Sequence, residues 1–220
     1  MFLWGVFMKT IIYLVRHGES IGNKKRLCLG HTDLNLSELG LIQAEKTAEK
    51  LSDIEFSKVY SSDLLRAYNT ALPHAKKRGL EVIKKEGLRE IYLGEWENVS
   101  FDVLMTEHKE VFEKEWKAKF GVFQSPGGES VPVVAERVYN TVLAIAKENL
   151  GSTVLCASHA AAIRALWGRI SNINPEDLAP LLPFPSNASY SIIEFDGEVL
   201  KPIKYSSDEH LSEICTRLSI

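Results

Sequence analysis

Residues 11–20 read IIYLVRHGES. Five apolar residues, two of them β-branched isoleucines, run without alternation into Arg16, His17, Gly18 and Glu19. A short unalternated run of this kind is a strand covered on both faces, as in a parallel sheet flanked by helices. The charged residues then fall at its carboxyl end. In open α/β sheets that edge is where ligands bind.

Other segments extend the pattern. Residues 56–60, 153–157, 190–195 and 198–205 are further strand candidates. Helical periodicity lies between them. Ser37 can cap a helix carrying Leu41, Ala44, Ala48 and Leu51 on one face. Residues 63–77 give a second helix, and residues 133–148 a third with Val134, Val138, Val142 and Ile145 in one stripe. A fourth starts near Ser158, its cap on helix-start rules, and continues through AAAIRALWG. Strands alternating with helices indicate an α/β domain with a largely parallel sheet. The closing stretch YSIIEF-DG-EVLKPIKY reads as a hairpin with a two-residue Asp-Gly turn.

Residues 99–124 are helical, charged and aromatic, and end at the loop signal SPGGES. They read as a helical insertion over part of the domain. Phe101, Phe112, Trp116, Phe120 and Phe123 within it have two readings: packing of that cap, which is favoured, or the lining of an apolar substrate pocket.

Composition excludes several classes. The chain has 220 residues, 45% apolar and 25% charged, ordinary for a globular protein with a sizeable core. A net charge of -3 gives no basic footprint for nucleic acid and no polybasic face for a membrane. Cys28, Cys156 and Cys215 are widely spaced and show no zinc spacing. They read as reduced thiols of a cytoplasmic protein, with Cys156 buried in a strand. The opening MFLWGVFM, residues 1–8, lacks a positive n-region and is too short to span a bilayer. Met8 offers a second start, which would make the residues before it an N-terminal extension.

The polar residues converge on one sheet edge. IIYLV is followed by Arg16 and His17, TVLCA by Ser158 and His159, and the strand before SSDLLRA by Arg66 in the first turns of a helix. The topology brings two histidines and two arginines to one crevice. Two guanidinium groups can hold a dianionic oxyanion through planar paired donors. Helix N-termini add backbone N–H groups. Gly18 lets the backbone turn and approach a ligand. A neutral imidazole is a competent nucleophile toward phosphorus. Singly, each histidine would be a packed or capping residue. Together with Arg16 and Arg66 they point to phosphoryl transfer through a phosphohistidine.

The blocks LVRHGES with Asn23, GHTDLNLSELG, YSSDLLRAYNTA, LREIYLGEWEN, PGGES and ASHAAAIRAL resemble, in order, the motifs of the histidine phosphatase superfamily, the phosphoglycerate mutase-like group. The resemblance runs from about Lys9 to Trp167, and more weakly through the final hairpin. It implies a single domain over residues 1–220. That domain would be a three-layer α/β/α sandwich with a mostly parallel sheet of about six strands, capped by residues 99–124. It also implies roles. His17 matches the nucleophile. Arg16, Arg66 and His159 match the residues around the transferred phosphoryl group. Glu90 matches the general acid, a role that composition alone would not have separated from Glu86, Glu95 or Glu97. Ser20 and Asn23 match polar contacts near the phosphate, and Gly30 a backbone contact to substrate.

The implied chemistry is hydrolysis of a small phosphomonoester with no cofactor and no metal. The chain departs from the family pattern in having Ala160 and Ala161 where two glycines are usual. The Ala160 N–H remains for a phosphate contact, but its methyl group narrows the pocket. The mutases of the group carry an arginine pair in the region of 99–124 and a hydroxyl residue just before the position of Gly30. Here that region offers Lys109, Lys114, Lys117 and Lys119, and the other position is Leu29. Both differences favour a phosphatase over a mutase of weak or dual activity. A phosphoprotein phosphatase would need the cap to leave the pocket open. A non-catalytic phosphate-binding module would not need Glu90. The sequence leaves the leaving group and the oligomeric state open.

Overall fold

The computed structural model describes residues 8–217. The apolar opening, residues 1–7, lies outside the described residues, and with it the reading of an extension. The chain order is β1 (Thr10–Arg16), α1 (Ile21–Lys24), α2 (Glu38–Lys50), β2 (Lys58–Ser61), α3 (Leu65–Lys76), β3 (Val82–Lys84), α4 (Phe101–Glu107), α5 (Lys109–Val111), α6 (Val131–Glu148), β4 (Thr153–Ser158), α7 (Ala160–Ile170), α8 (Leu178–Leu181), β5 (Tyr190–Phe195) and β6 (Leu200–Ser207). A π-helix, Phe112–Lys117, follows α5.

The six strands form one sheet in the order β3-β2-β4-β1-β5-β6. The pairs β1/β4, β4/β2 and β2/β3 are parallel, while β5 and β6 add antiparallel at one edge. Side chains alternate between two cores, as the two-residue period of a strand requires. Ile12, Leu14, Val154 and Cys156 face one core with Val134, Val138 and Val142 of α6 and Ile163 and Leu166 of α7. Val15, Leu155 and Ala157 face the other with Ala67, Ala71 and Ala75 of α3 and Leu51 at the end of α2. Burial on both sides is why β1 and β4 read as unbroken apolar runs. The expected three layers and mostly parallel sheet are present. Strand β3, three residues at the edge, is the one the apolar pattern did not reveal, since two of its residues are exposed.

Several local expectations change. Ser37 does cap α2, its Oγ accepting from the Gly40 N–H at 3.0 Å. Its buried face, however, is Gly40, Gln43, Ala44, Thr47 and Ala48, while Leu41 is exposed. The reason is close approach. A Cβ on Gly40 would lie 2.0 Å from the Glu19 carbonyl oxygen, and one on Gly18 would lie 2.5 Å from that of Gly40. Gly18 therefore admits α2 against the loop after β1; a left-handed turn is not its purpose. The hairpin also differs. Residues 196–199 connect β5 to β6, and the Asp196 carboxylate accepts from the N–H groups of Glu198 and Val199. That side-chain turn takes two more residues than the Asp-Gly pair alone.

Segment 99–124 folds onto the larger core. Phe101, Phe112, Trp116, Phe120 and Phe123 are all buried in it, so the packing reading holds. The lining reading holds as well for two of them, as described next.

Candidate active site

Strand register assembles the site. Arg16 is the last residue of β1 and pairs with Ser158, the last of β4; Ala157 in turn pairs with Ser61, the last of β2. His17 and His159 each follow a strand end, and Arg66 is the second residue of α3. All four side chains are buried. The rings of His17 and His159 lie 5.1 Å apart between centroids at 61°.

His17 Nδ1 is 2.7 Å from the Gly18 carbonyl oxygen. A carbonyl only accepts, so Nδ1 carries the proton and Nε2 holds the lone pair. Burial, then the charges of Arg66 and Arg16, keep the His17 imidazole neutral well below the usual histidine range. The same holds for His159, where burial leads and Arg66, His17, His31 and Arg16 follow. Both ring nitrogens of His159 are buried without a hydrogen-bond partner.

The arginines are held from behind by carbonyls. Arg66 donates from Nη2 to the Gly30 oxygen at 2.7 Å and from Nη1 to the Thr32 oxygen at 2.8 Å. Arg16 donates from Nη1 to the Pro185 oxygen at 2.5 Å. The Nε–H of each is buried and unpartnered. Burial pushes both guanidinium groups down to about 10, and the Glu90 carboxylate opposes that shift. Both remain cations at neutral pH. Buried cations with unpaired donors are costly until an anion arrives.

Glu90 is near enough to act on both arginines. Its Oε1 accepts from the N–H groups of Ile91 at 3.0 Å and Ala162 at 2.9 Å, and its Oε2 from Ala161 at 3.1 Å. Glu90 thus caps α7, satisfying N–H groups that a helix start leaves free. Ser158, the expected cap, instead donates its hydroxyl to the Leu88 oxygen at 2.8 Å. His159 occupies the capping position with extended backbone and no side-chain cap bond. The Glu90 carbonyl is fixed in turn by Arg137 Nη2 at 3.1 Å and His31 Nε2 at 2.9 Å. Arg137 pairs with Glu129 of the PGGES block.

The remaining sequence candidates divide. One pocket is bordered by Arg16, His17, Asn23, Gly30, Arg66, Glu90 and Ala160 together. Asn23 Oδ1 accepts from the Ser20 backbone N–H and hydroxyl and from Asn187, which leaves its amide N–H groups to face a ligand. Ser20 and His159 are not in the lining: the Ser20 hydroxyl caps α1 and holds Asn23, and the fully buried His159 reaches the site through its ring contact with His17. Gly30 has φ +47, and its Cβ would strike Glu97 Oε1 at 1.9 Å, so glycine is required there. Ala160 also borders the pocket.

Sequence reasoning found only part of the apolar wall, which is formed by Leu27, Leu29, Leu93, Phe101, Trp116 and Phe184. These residues come from segments far apart in the chain, and apolar side chains carry no local mark of facing a pocket. Leu29 and the aromatics of the cap were the only part of it singled out. Arg137, Glu129 and His31 were missed too; the PGGES and GHTD blocks were the signal for two of them.

A family model described as the histidine phosphatase superfamily (branch 1) matches residues 12–207. Phosphoserine phosphatase 1 of Hydrogenobacter thermophilus is 34% identical over 203 residues, covering 92% of this chain and 94% of that protein. The metal-independent phosphoserine phosphatase of Arabidopsis thaliana is 34% identical over 214 residues, covering 93% and 84%. Other relatives bear the name phosphoglycerate mutase or mutase-like protein. Among solved structures, Bacillus stearothermophilus YhfR aligns with a TM-score of 0.86 at 28% identity, covering 92% of this chain and all of that one. On the family match over most of the chain and the phosphatase relatives, the chain belongs to the histidine phosphatase superfamily and is a phosphatase.

Proposed function

We propose that the protein is a metal-independent phosphomonoesterase of small phosphorylated metabolites, working through a phosphohistidine on His17. The observation that carries this is the state of His17. It is a neutral ring with Nδ1 engaged on Gly18, under the charges of two buried arginines whose Nε donors lack partners.

The ester's phosphoryl group binds between Arg16 and Arg66, and the Asn23 amide donates to it. His17 Nε2 attacks phosphorus in line as the bond to the alkoxide breaks. The Nδ1–H bond to the Gly18 carbonyl steadies the charge that develops on the ring. The arginines and His159 stabilise the equatorial oxygens. Glu90 gives the departing alkoxide its proton. Its carboxylate then takes a proton from water, which attacks phosphorus and breaks the P–N bond. The products are the alcohol and inorganic phosphate, and His17 is neutral again.

Support for hydrolysis over transfer comes from the outer wall. Among the described residues lining the pocket, Arg16 and Arg66 are the cations, and both belong to the phosphoryl cradle. Nothing cationic in the lining awaits a second phosphate. The nearby relatives named phosphoserine phosphatase support the same choice. Three unpaired thiols suit a reducing compartment, and we assign the reaction to the cytoplasm. No helix among the described residues is long and apolar enough to cross a membrane. The test is a screen of small phosphomonoesters with released phosphate as readout. The proposal expects turnover of several esters and none of the mutase exchange between phosphoglycerates. Exchange exceeding hydrolysis would overturn it.

A further inference from the structure

Arg137 commits every donor it has to the segment that carries Glu90 and to one carboxylate. Its Nη1 donates to the carbonyls of Gly87 at 3.2 Å and Arg89 at 3.0 Å, and its Nη2 to that of Glu90 at 3.1 Å. The other two N–H groups, on Nε and Nη2, bind the two oxygens of Glu129 at 3.0 and 2.8 Å. That accounts for all five donors of a guanidinium. Glu129 holds the same segment two residues further on. Its Oε2 accepts from the Tyr92 N–H at 2.8 Å, and its own N–H donates to the Tyr92 carbonyl at 2.8 Å. Residues 89–93 lie in no helix or strand, so no ladder of backbone bonds sets where Glu90 stands. The base of the clamp is α6, which buries Val134, Val138, Val142 and Ile145. It comes close: a Cβ on Gly87 would lie 2.0 Å from Thr141 Oγ1. Neither Arg137 nor Glu129 lines the pocket.

We infer that Arg137 is a positioning residue for protonation of the leaving group. Glu129 orients its guanidinium, the guanidinium fixes the main chain of residues 87–90, and the N–H groups at the start of α7 then hold the Glu90 carboxyl. This rests on the phosphomonoesterase reading, with Glu90 as the acid, and deepens it. A general acid must stand within hydrogen-bond reach of the oxygen it protonates. Misplacement by about 1 Å costs on the order of a hundredfold. Phosphoryl binding and attack use Arg16, Arg66 and His17, and Arg137 has no donor left for any of them. Loss of Arg137 therefore falls on esters whose leaving group needs a proton.

Phenyl and p-nitrophenyl phosphate differ in that need. A phenol with a pKa of about 10 leaves poorly as the anion, whereas nitrophenolate leaves without a proton. The readout is the ratio of their single-turnover cleavage rates. Arg137→Met should cut phenol release by roughly tenfold to a hundredfold, and nitrophenolate release by no more than about threefold. In a Glu90→Gln background the same substitution should leave the ratio where Glu90→Gln puts it, because both act through one proton transfer. Val138→Ala weakens α6 but keeps the guanidinium; it should lower the urea midpoint and leave the ratio at the wild-type value. If Arg137→Met does not fold, Glu129→Gln replaces one acceptor of the guanidinium with a donor and should shift the ratio the same way by about threefold. An unmoved ratio in the folded variant would overturn the inference. So would a shift by Arg137→Met that is the same with and without Glu90, or an equal shift in Val138→Ala. A ratio that Glu90→Gln itself leaves unmoved would end the reading of Glu90 as the acid, and absence of wild-type turnover of both esters would end the phosphomonoesterase reading; the inference falls with either.

Discussion

His74 provides a measurable test of how burial governs titration in this fold. It lies on α3 with no exposed surface, and both ring nitrogens lack partners. Its ring is edge-on to Phe56 at 6.3 Å. Burial first, then Arg78, Lys77 and His210, push it down to about 3. An unfolded histidine titrates near 6.5. Below that pH the unfolded chain binds a proton here that the folded chain refuses, so stability falls as pH falls. From pH 7 to pH 5 the loss amounts to about 2 kcal/mol for this one residue. His74→Leu fills the site with an apolar group of similar size and removes the term. Urea unfolding followed by circular dichroism at pH 7, 6 and 5 measures both proteins. Carboxylates titrate mainly near 4, below this window. Wild-type stability should fall by about 2 kcal/mol more than that of His74→Leu between pH 7 and 5. Parallel curves would refute the reasoning. His17 and His159 are lowered in the same direction, so added phosphate, which favours their cationic forms, should flatten what slope remains in the variant.

Other expectations concern the site directly. Hydrolysis of p-nitrophenyl phosphate should persist in excess EDTA; loss of activity restored by Mg²⁺ or Zn²⁺ would contradict catalysis by fixed side chains. Glu90→Gln should slow release of alkyl alcohols by roughly 10²–10⁴ in single-turnover measurements, and release of nitrophenolate far less, since that leaving group needs no proton. Equal losses for the two would remove Glu90 from the role of acid. Gly30→Ala places a methyl 1.9 Å from Glu97 Oε1 at φ +47. It should destabilise the fold by roughly 2–4 kcal/mol in thermal or urea unfolding, and an unchanged midpoint would contradict the steric account.

The placement of the chemistry was legible because strand ends are set by pattern. Arg16, His17 and His159 follow unalternated apolar runs, and parallel pairing then brings them together whatever the details of packing. Arg66 follows from the same logic one strand over. The identity of Glu90 came from the resemblance alone, since nothing local separates it from Glu86 or Glu97. What stayed hidden depends on contacts between distant segments. Gly18 reads as a turn residue, yet its constraint is the backbone of Gly40. Ser158 reads as a helix cap, yet a carboxylate some seventy positions earlier takes that place and leaves the hydroxyl to Leu88. Leu41 has the period of a core residue, but α2 buries its small side chains because it touches another backbone.

The central claim is that His17 Nε2 carries the phosphoryl group. Rapid quench of the enzyme with ³²P-labelled ester, followed by acid and base treatment and peptide mapping, measures it most directly. The account predicts one acid-labile, base-stable phosphate on the peptide containing His17, formed before product alcohol accumulates in steady state and missing from a folded His17→Ala variant. Turnover without labelled protein, or label on the alanine variant, would contradict it.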